Sequence, residues 1–419
     1  MSSDNETPSP EATHDVAVVG TGPSGLVAAL ALHEIGASVV AIGPAPSGDA
    51  ARLETRTAAL LASSVDLLKA LKVFDRLKSE AAPLKAIRII DASRSLFRAP
   101  DIEFKASELG LEAFGYNIPN TTLIEALYTR AREVLPAVVT TNVEAIALDA
   151  RGAVLTLSDG APLSARLVAG ADGRRSICRT SAGIAMTDRQ YDQAAIASSF
   201  RHKLPHRFIS NELHKEQGSV TTVPLPDPHA SSLIWVGSRS EIAPLMQLDA
   251  ARFEEELGER LGGLLGPISG MSARAEFPVS GLSAGTLAAN RTALLGEAAH
   301  ILPPIGAQGL NLGFRDAAAL ADCVAAALRL GRDPGGEEVL ASYRRARDID
   351  VLTRTVGVDL LSRSLLSSLF PVQAARGLLS HGLNALPPLR RMVMRLGLTP
   401  PTELPTLMRP AEPGASFRA

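Results

Sequence analysis

The stretch HDVAVVGTGPSGLVAALALHEIGASVVAIG, residues 14–43, constrains the fold more than any other part of the chain. Four apolar residues without alternation, Val16–Val19, read as a buried strand. A glycine turn, an amphipathic helix and a second strand over Ser38–Ile42 follow. Gly20, Gly22 and Gly25 fit G-x-G-x-x-G between strand and helix. In that context Gly20 allows the tight turn, Gly22 lets a pyrophosphate approach the backbone, and Gly25 lets the helix pack on the strand. The pattern alone is weak; after a strand and opening a helix, it points to dinucleotide binding. One element is missing. The second strand should end in an acid for the ribose hydroxyls, roughly 20 residues on. Instead the chain reads Ile42-Gly43-Pro44, and the nearest acid, Asp49, falls in a loop.

Two further segments carry the same strand–turn–helix order. In GEAAHILPPIGAQGLNLGFRD, residues 296–316, the apolar run RTALLG leads into Glu297, then Pro303-Pro304, then a glycine-rich turn and a helix start near Leu310. A helix N-terminus presents free N–H groups and partial positive charge to an anion. Alone, the segment reads equally well as a structural turn packed by its glycines, and His300 as a hydrogen-bonded structural residue. In ARLVAGADGRRSICR, residues 165–179, a strand over Leu167–Ala169 runs into Asp172-Gly173, with Ser176 and Arg179 completing D-G-x-x-S-x-x-R. Taken alone this is an ordinary helix entry, Asp172 capping N–H groups and Arg179 solvated.

Together the three segments resemble the flavoprotein monooxygenases of the para-hydroxybenzoate hydroxylase fold. The wording is closer still to the FAD-dependent hydroxylases of ubiquinone biosynthesis. ETRTAAL (54–60), FGYNI (114–118), VPLP (223–226), SSLIWV (231–236), RSLL (363–366) and FPVQAARGL (370–378) extend the match over nearly the whole chain. The resemblance implies an α/β fold (α+β overall), with a Rossmann-like FAD-binding domain, an inserted β-sheet-rich substrate domain and C-terminal helices. It implies that Gly20, Gly22 and Gly25 hold the ADP part of FAD, and that Asp172 and Gly173 lie between the pyrophosphate and incoming NAD(P)H. Gly296 and Glu297 would hold the ribityl chain; Pro304, Gly306, Gly309, Leu310 and Asn311 would surround the isoalloxazine, with the amides of Gln308–Asn311 as the positive helix end. Asn311 reads either as a flavin hydrogen-bond partner or as a helix cap. Arg56 matches an arginine near the FAD and the substrate entrance. Where the family carries aspartate this chain carries Glu297, one methylene longer.

Side chains cannot activate dioxygen themselves, so a hydroxylase without metal ligands needs an organic redox cofactor. The resemblance supplies it. NAD(P)H reduces FAD, O2 adds at flavin C4a, and the terminal oxygen of that hydroperoxide passes to the ring of a polyprenylated phenol in ubiquinone biosynthesis. The chemistry is flavin-borne, so no side chain is assigned as catalytic. Alternatives are a related flavoenzyme on another lipophilic substrate and a non-catalytic FAD-fold scaffold of a biosynthetic complex.

Composition narrows the rest. Forty-two basic residues against 44 acidic ones carry no polyanion-binding signal, and no basic motif with interleaved aromatics points to nucleic acid. Only Cys178 and Cys323 occur, far apart, which fits a reducing compartment. The histidines show no metal-ligand spacing. The polar, acidic start has no signal-peptide pattern and no apolar run reaches 18 residues, so a cytoplasmic protein without a spanning helix is expected.

The pattern along the chain assigns residues 1–13 to a disordered tail and 14–80, 110–185 and 285–335 to the FAD-binding domain. It assigns 81–109 and 186–284 to the substrate domain, 336–400 to a helical region and 401–419 to a Pro-rich tail. Apolar residues at helical spacing over Val351–Phe370 read as a helix capping the nucleotide domain. LPPLRRMVMRLGL, residues 386–398, alternates bases with apolar groups; the sharper reading is peripheral contact with the inner membrane.

Overall fold

The computed structural model describes residues 12–46, 55–92, 100–215, 218–304, 306–366, 381–383, 385–398 and 402–410. Its first sheet is built around β1 (His14–Val19), which pairs in parallel with β2 (Val39–Ile42) on one side and β11 (Pro162–Gly170) on the other. The parallel run extends through β8 (Ala137–Val139) beyond β2 and β19 (Thr292–Leu294) beyond β11. The antiparallel β9 (Val143–Leu148) and β10 (Ala153–Leu157) return the chain to β11. The short β18 (Ala288–Ala289) closes the edge beside β19.

Between β1 and β2 runs α1 (Pro23–Glu34), and its burial differs from the amphipathic helix expected from sequence. Every residue from Gly25 to Leu32 is buried. The cause is a second layer: α1 lies against the sheet and also packs on α7 (Gln308–Arg329). A helix covered on both sides needs apolar residues all round. The long α8 (Glu337–Leu366) packs in turn on α7, β18 and β19. Of the apolar spacing expected over Val351–Phe370, the side chains from residue 356 onward lie outside the described residues.

A second sheet of nine strands has the order β20-β17-β12-β15-β14-β13-β5-β6, with β16 (Ile268–Ser269) on β12. Its spine is β12 (Met186–His202), antiparallel to β15 (Ala230–Ser238) and β17 (Ala275–Ala284) and shifted in register between Gln190 and Ala194. The chain reaches its far edge early, through β5 (Ala86–Asp91) and β6 (Ile102–Lys105). These join β13 (Ile209–Lys215) and β14 (Gly218–Pro224). One face is covered by α5 (Arg239–Gln247) and α6 (Ala250–Leu261), burying Phe200, Trp235, Ile242, Phe253 and Leu257 together. Asp249 starts α6, its Oδ1 accepting the Arg252 N–H at 2.8 Å.

A third sheet of β3 (Thr57–Leu61), β7 (Gly115–Pro119) and β4 (Ala82–Pro83) links the two larger ones. Thr57 Oγ1 meets Ser232 Oγ at 3.0 Å, and Asn117 Nδ2 donates to the Pro224 carbonyl at 2.9 Å. The chain also crosses between sheets at one place that matters for the site. After β19 it turns through Gly296–Ala298 and enters β20 (His300–Ile301), which pairs with β17 of the second sheet.

Candidate functional site

The glycine turn after β1 is shaped by close backbone contact. Gly20 has φ +111°, and a Cβ there would sit 2.2 Å from the Ala171 carbonyl oxygen. A Cβ on Gly25 would sit 1.9 Å from the Gly20 carbonyl oxygen. Gly22 is different: nothing lies within 4 Å of its virtual Cβ. It opens onto a cleft of about 670 Å3 at the C-terminal ends of β1, β2 and β11. Gly20, Thr21, Gly22, Gly43, Asp172, Gly173 and Arg175 line it. This is where open α/β sheets bind ligands. Gly22 is the N-cap of α1, no side chain caps the helix, and no acid stands in its first turn. Its first amides therefore favour an anion.

The opposite wall carries a second sign of a missing partner. Asp172 Oδ2 accepts the Cys178 N–H at 3.1 Å, while Oδ1 is buried without a hydrogen-bond partner. Burial, with Asp172 alongside, pushes the Cys178 thiol well above its ordinary value, so it is no nucleophile. An open glycine, uncapped amides and an unsatisfied carboxylate oxygen fit the sugar–pyrophosphate portion of a dinucleotide. The absent acid at position 43 also gains a reason. A Cβ on Gly43 would lie 2.6 Å from Thr21 Oγ1, which donates to the Pro44 carbonyl at 2.6 Å. No side chain fits there; Thr141 and Asn142 are polar residues on that part of the cleft lining.

The Gly296–Ala298 turn comes against the start of α1. Virtual Cβ atoms on Gly296 and Gly313 would lie 2.9 and 2.4 Å from Ser24 Oγ, so three elements meet there without side-chain bulk. Glu297 is exposed on this turn. Pro304, Gly306 and Gly309 are exposed and Leu310 half-buried at the start of α7, whose N-cap Ala307 has φ +53° and no side-chain cap. Those amides have no protein side chain to satisfy them. Asn311 is fully buried, and its bonds go to protein. Oδ1 accepts from Leu61 N at 2.8 Å and Ser64 Oγ at 2.7 Å; Nδ2 donates to the carbonyls of Ala59 at 2.9 Å and Ala307 at 2.6 Å. It clamps the loop to β3 and α2 (Ala62–Ala70).

A charged network that sequence reasoning missed holds this turn from below. Asp316 Oδ2 accepts from Gly296 N at 3.1 Å and is 2.6 Å from His300 Nε2; Oδ1 accepts from Arg347 Nε at 2.8 Å. Asp350 binds Arg347 Nη1 at 2.7 Å and lies 2.8 Å from Arg315 Nε. Burial alone would raise the Asp316 carboxyl, but His300 and Arg347 outweigh it and hold it well below the carboxylate range. Burial lowers Arg315 to about 10 despite Asp350. The available signal was an Arg-Asp pair inside the apolar run LGFRDAAAL. His300 is buried and hydrogen-bonded.

Arg179 is not solvated. It is buried, donating to the Ala298 carbonyl at 2.8 Å and the Arg174 carbonyl at 2.8 Å, so it ties the D-G segment to the Gly296 turn. Its helix, α4 (Ile177–Ser181), is capped by Ser176, whose Oγ accepts Arg179 N at 2.9 Å. Arg174 binds Asp188 of β12 at 2.7 Å. Arg56 lies at the other boundary, its guanidinium 4.7 Å from the Phe277 ring centroid of β17. Gly20, Gly22, Asp172 and Gly173 therefore share one cleft, with Gly25 packed beneath it. Gly296, Glu297 and the start of α7 adjoin the same helix end, and Arg56, just before β3 of the third sheet, meets β17 of the second.

The class follows from fold and cleft. The structure is similar to p-nitrophenol 4-monooxygenase PnpA of Pseudomonas putida, with a TM-score of 0.74, 21% identity and coverage of 94% of this chain and 100% of that one. This is the flavoprotein monooxygenase fold. The FAD binding domain family model matches residues 13–354, and the chain belongs to that family. Ubiquinone hydroxylase UbiL of Rhodospirillum rubrum is 36% identical over 413 residues, covering 96% of this chain and 94% of that protein. The 3-demethoxyubiquinol 3-hydroxylase of Escherichia coli is 31% identical over 392 residues, covering 92% and 98%. The chain is an FAD-dependent monooxygenase of this hydroxylase group.

Proposed function

We propose that this enzyme hydroxylates the ring of a polyprenylated phenol in ubiquinone biosynthesis, with NAD(P)H and O2 as co-substrates. The observation that carries this is 36% identity along 96% of the chain to a named ubiquinone hydroxylase. FAD supplies the redox and oxygen-activating chemistry when bound. The chain's own residues then have distinct tasks. Gly20 and Gly22 admit the pyrophosphate to the α1 amides, and Asp172 with Gly173 offers the free Oδ1 beside it. Gly25 keeps α1 against the turn, Gly296 and Glu297 take the ribityl chain, and Pro304, Gly306, Gly309, Leu310 and Asn311 shape the flavin end. The uncapped α7 amides would offer partial positive charge to the flavin end, and Arg56 would stand on the approach from the substrate sheet.

Sheet membership supports a division into an FAD-binding unit (14–80, 110–185 and 285–335) and a substrate unit (81–109 and 186–284), because β5, β6 and β12 to β17 lie in one sheet, which takes only β20 from the first unit. Among the described residues no helix is long and apolar enough to cross a membrane. A lipid-borne substrate is then met by a protein that works from the cytoplasmic side as a peripheral visitor to the inner membrane. The test is quinone profiling of a deletion strain by mass spectrometry. A hydroxyl-deficient ubiquinone intermediate is expected; normal ubiquinone without one overturns the assignment.

A further inference from the structure

The last described helix, α9 (Pro387–Leu398), is anchored by one side and presents the wrong chemistry on the other. Met394 is buried in a cluster with Leu84, Ala106, Phe114 and Val223 on the substrate sheet. Arg390 binds Glu108 at 2.8 Å, and Arg354 of α8 donates to the Gly397 carbonyl at 2.8 Å. These contacts fix the rotation of the helix. Met392 and Leu396 stand two residues to either side of Met394, about 200° around at 3.6 residues per turn. They point away from the protein and are 52% and 65% exposed. Val393 and, just before the helix, Leu386 are exposed as well, at 36% and 54%. Arg391 and Arg395, one helical turn apart, run along one flank and are exposed. An amphipathic helix normally buries its apolar stripe against the core. Here Met394 does that with Leu398, one turn on, half-buried against the same cluster, while Met392, Val393 and Leu396 face out beside Arg391.

We propose that the outer face of α9 is a docking surface for an anionic lipid bilayer. Apolar side chains flanked by arginine are the chemistry of an interfacial helix: the stripe enters the acyl boundary and the guanidinium groups reach the headgroups. The charge selects this occupant over a second copy of the chain, because two such faces would bring Arg391 against its own kind. Docking would set the bilayer beside the Phe104 and Val223 side of the substrate sheet, since both pack in the cluster under α9. Only that last consequence rests on the reading of a lipid-borne substrate.

The experiment is flotation of the FAD-loaded full chain with vesicles of phosphatidylcholine alone or with added phosphatidylglycerol. Variants are accepted when they keep bound flavin and the parent melting temperature. Binding to the anionic vesicles is expected, weakened about tenfold or more by the double variant Met392→Glu/Leu396→Glu. Arg391→Gln is expected to weaken it about fivefold on anionic vesicles only. Failure of the parent to float, equal binding to both vesicle types, or undiminished binding of the double variant overturns the proposal. So does a parent dimer that the double variant converts to monomer, because the face is then covered by a second copy. Flotation without any quinone defect in the deletion strain would leave this surface standing and remove the substrate reading instead.

Discussion

Two turns meet at the start of α1, and they are held in opposite ways. In the Gly20–Gly25 turn backbone touches backbone, with 1.9 and 2.2 Å where two Cβ atoms would be, and the Thr21 hydroxyl on the Pro44 carbonyl is its side-chain tie. The Gly296–Asn311 segment is held by side chains, three of them (Ser64, Arg179 and Arg347) from far away in sequence. Asp316, Arg179, Arg347, Ser64 and His300 all bond to it or to each other beneath it. A turn closed by backbone on backbone is rigid and tolerates no addition at Gly20 or Gly25. A turn slung from a buried ionic network can be displaced when one member is lost, and the cost falls on buried charges.

The largest effect should come from Gly25→Ala, which forces α1 off the turn. We expect loss of more than about 4 kcal/mol or failure to fold, since no flexible group can yield. Gly22→Ala sharpens the contrast within the same turn. Its φ is −71° and its Cβ would enter open space, so apo-protein stability should stay within about 0.5 kcal/mol while FAD affinity falls at least about tenfold. Thermal melts and FAD titration of both variants check this. Equal stability losses in the two would break the assignment of Gly22 to the ligand side.

On the other turn, Asp316→Ala leaves Arg347 and His300 buried without their carboxylate and should cost about 3 to 5 kcal/mol in denaturant unfolding. A loss below about 1 kcal/mol would mean the network is not what holds Gly296.

These two turns also differ in how far the sequence revealed them. Glycines leave a spacing that can be read, because each answers a local steric demand, and the strand–turn–helix context made Gly20, Gly22 and Gly25 legible along with the α/β class. Arg179 and Asp316 answer demands set by residues more than a hundred and about thirty positions away, 119 from Arg179 to Ala298 and 31 from Asp316 to Arg347. Nothing local distinguishes a buried arginine in R-S-I-C-R from a solvated one. The same holds for Gly43, where an absent acid looked like a lost contact and is instead a place where Thr21 leaves no room.

Acid should separate the network from the substrate sheet. His202 and His206 are held below their ordinary 6.5 chiefly by burial. A group with a depressed value in the fold takes its proton more readily when unfolded, so their contribution is complete above pH 6.5 and is lost as pH falls below it. Asp316 is depressed from 3.8, so the network keeps its contribution until pH drops through that value and loses it further down. Stability against pH should therefore fall in two steps, and His202→Gln/His206→Gln should remove only the first. Persistence of the first step in that variant would place the titration elsewhere.

The smallest expected effect tests the side chain that the second turn offers to its ligand. Glu297 is exposed on a turn whose backbone is fixed at Gly296 by Asp316 and at Ala298 by Arg179. With both neighbours pinned, the extra methylene cannot be absorbed by moving the backbone, so on the proposed reading the carboxylate would reach a ribityl hydroxyl by changing rotamer. Glu297→Asp shortens that reach and removes one rotatable bond. FAD should bind about three- to tenfold more tightly, the equivalent of about 1 kcal/mol, with apo-protein stability unchanged because the side chain packs against nothing it would leave empty. Titration of the apo-protein with FAD reads this directly. An unchanged or weaker dissociation constant would show that the longer carboxylate already meets its partner, and that the pinned turn is set for glutamate.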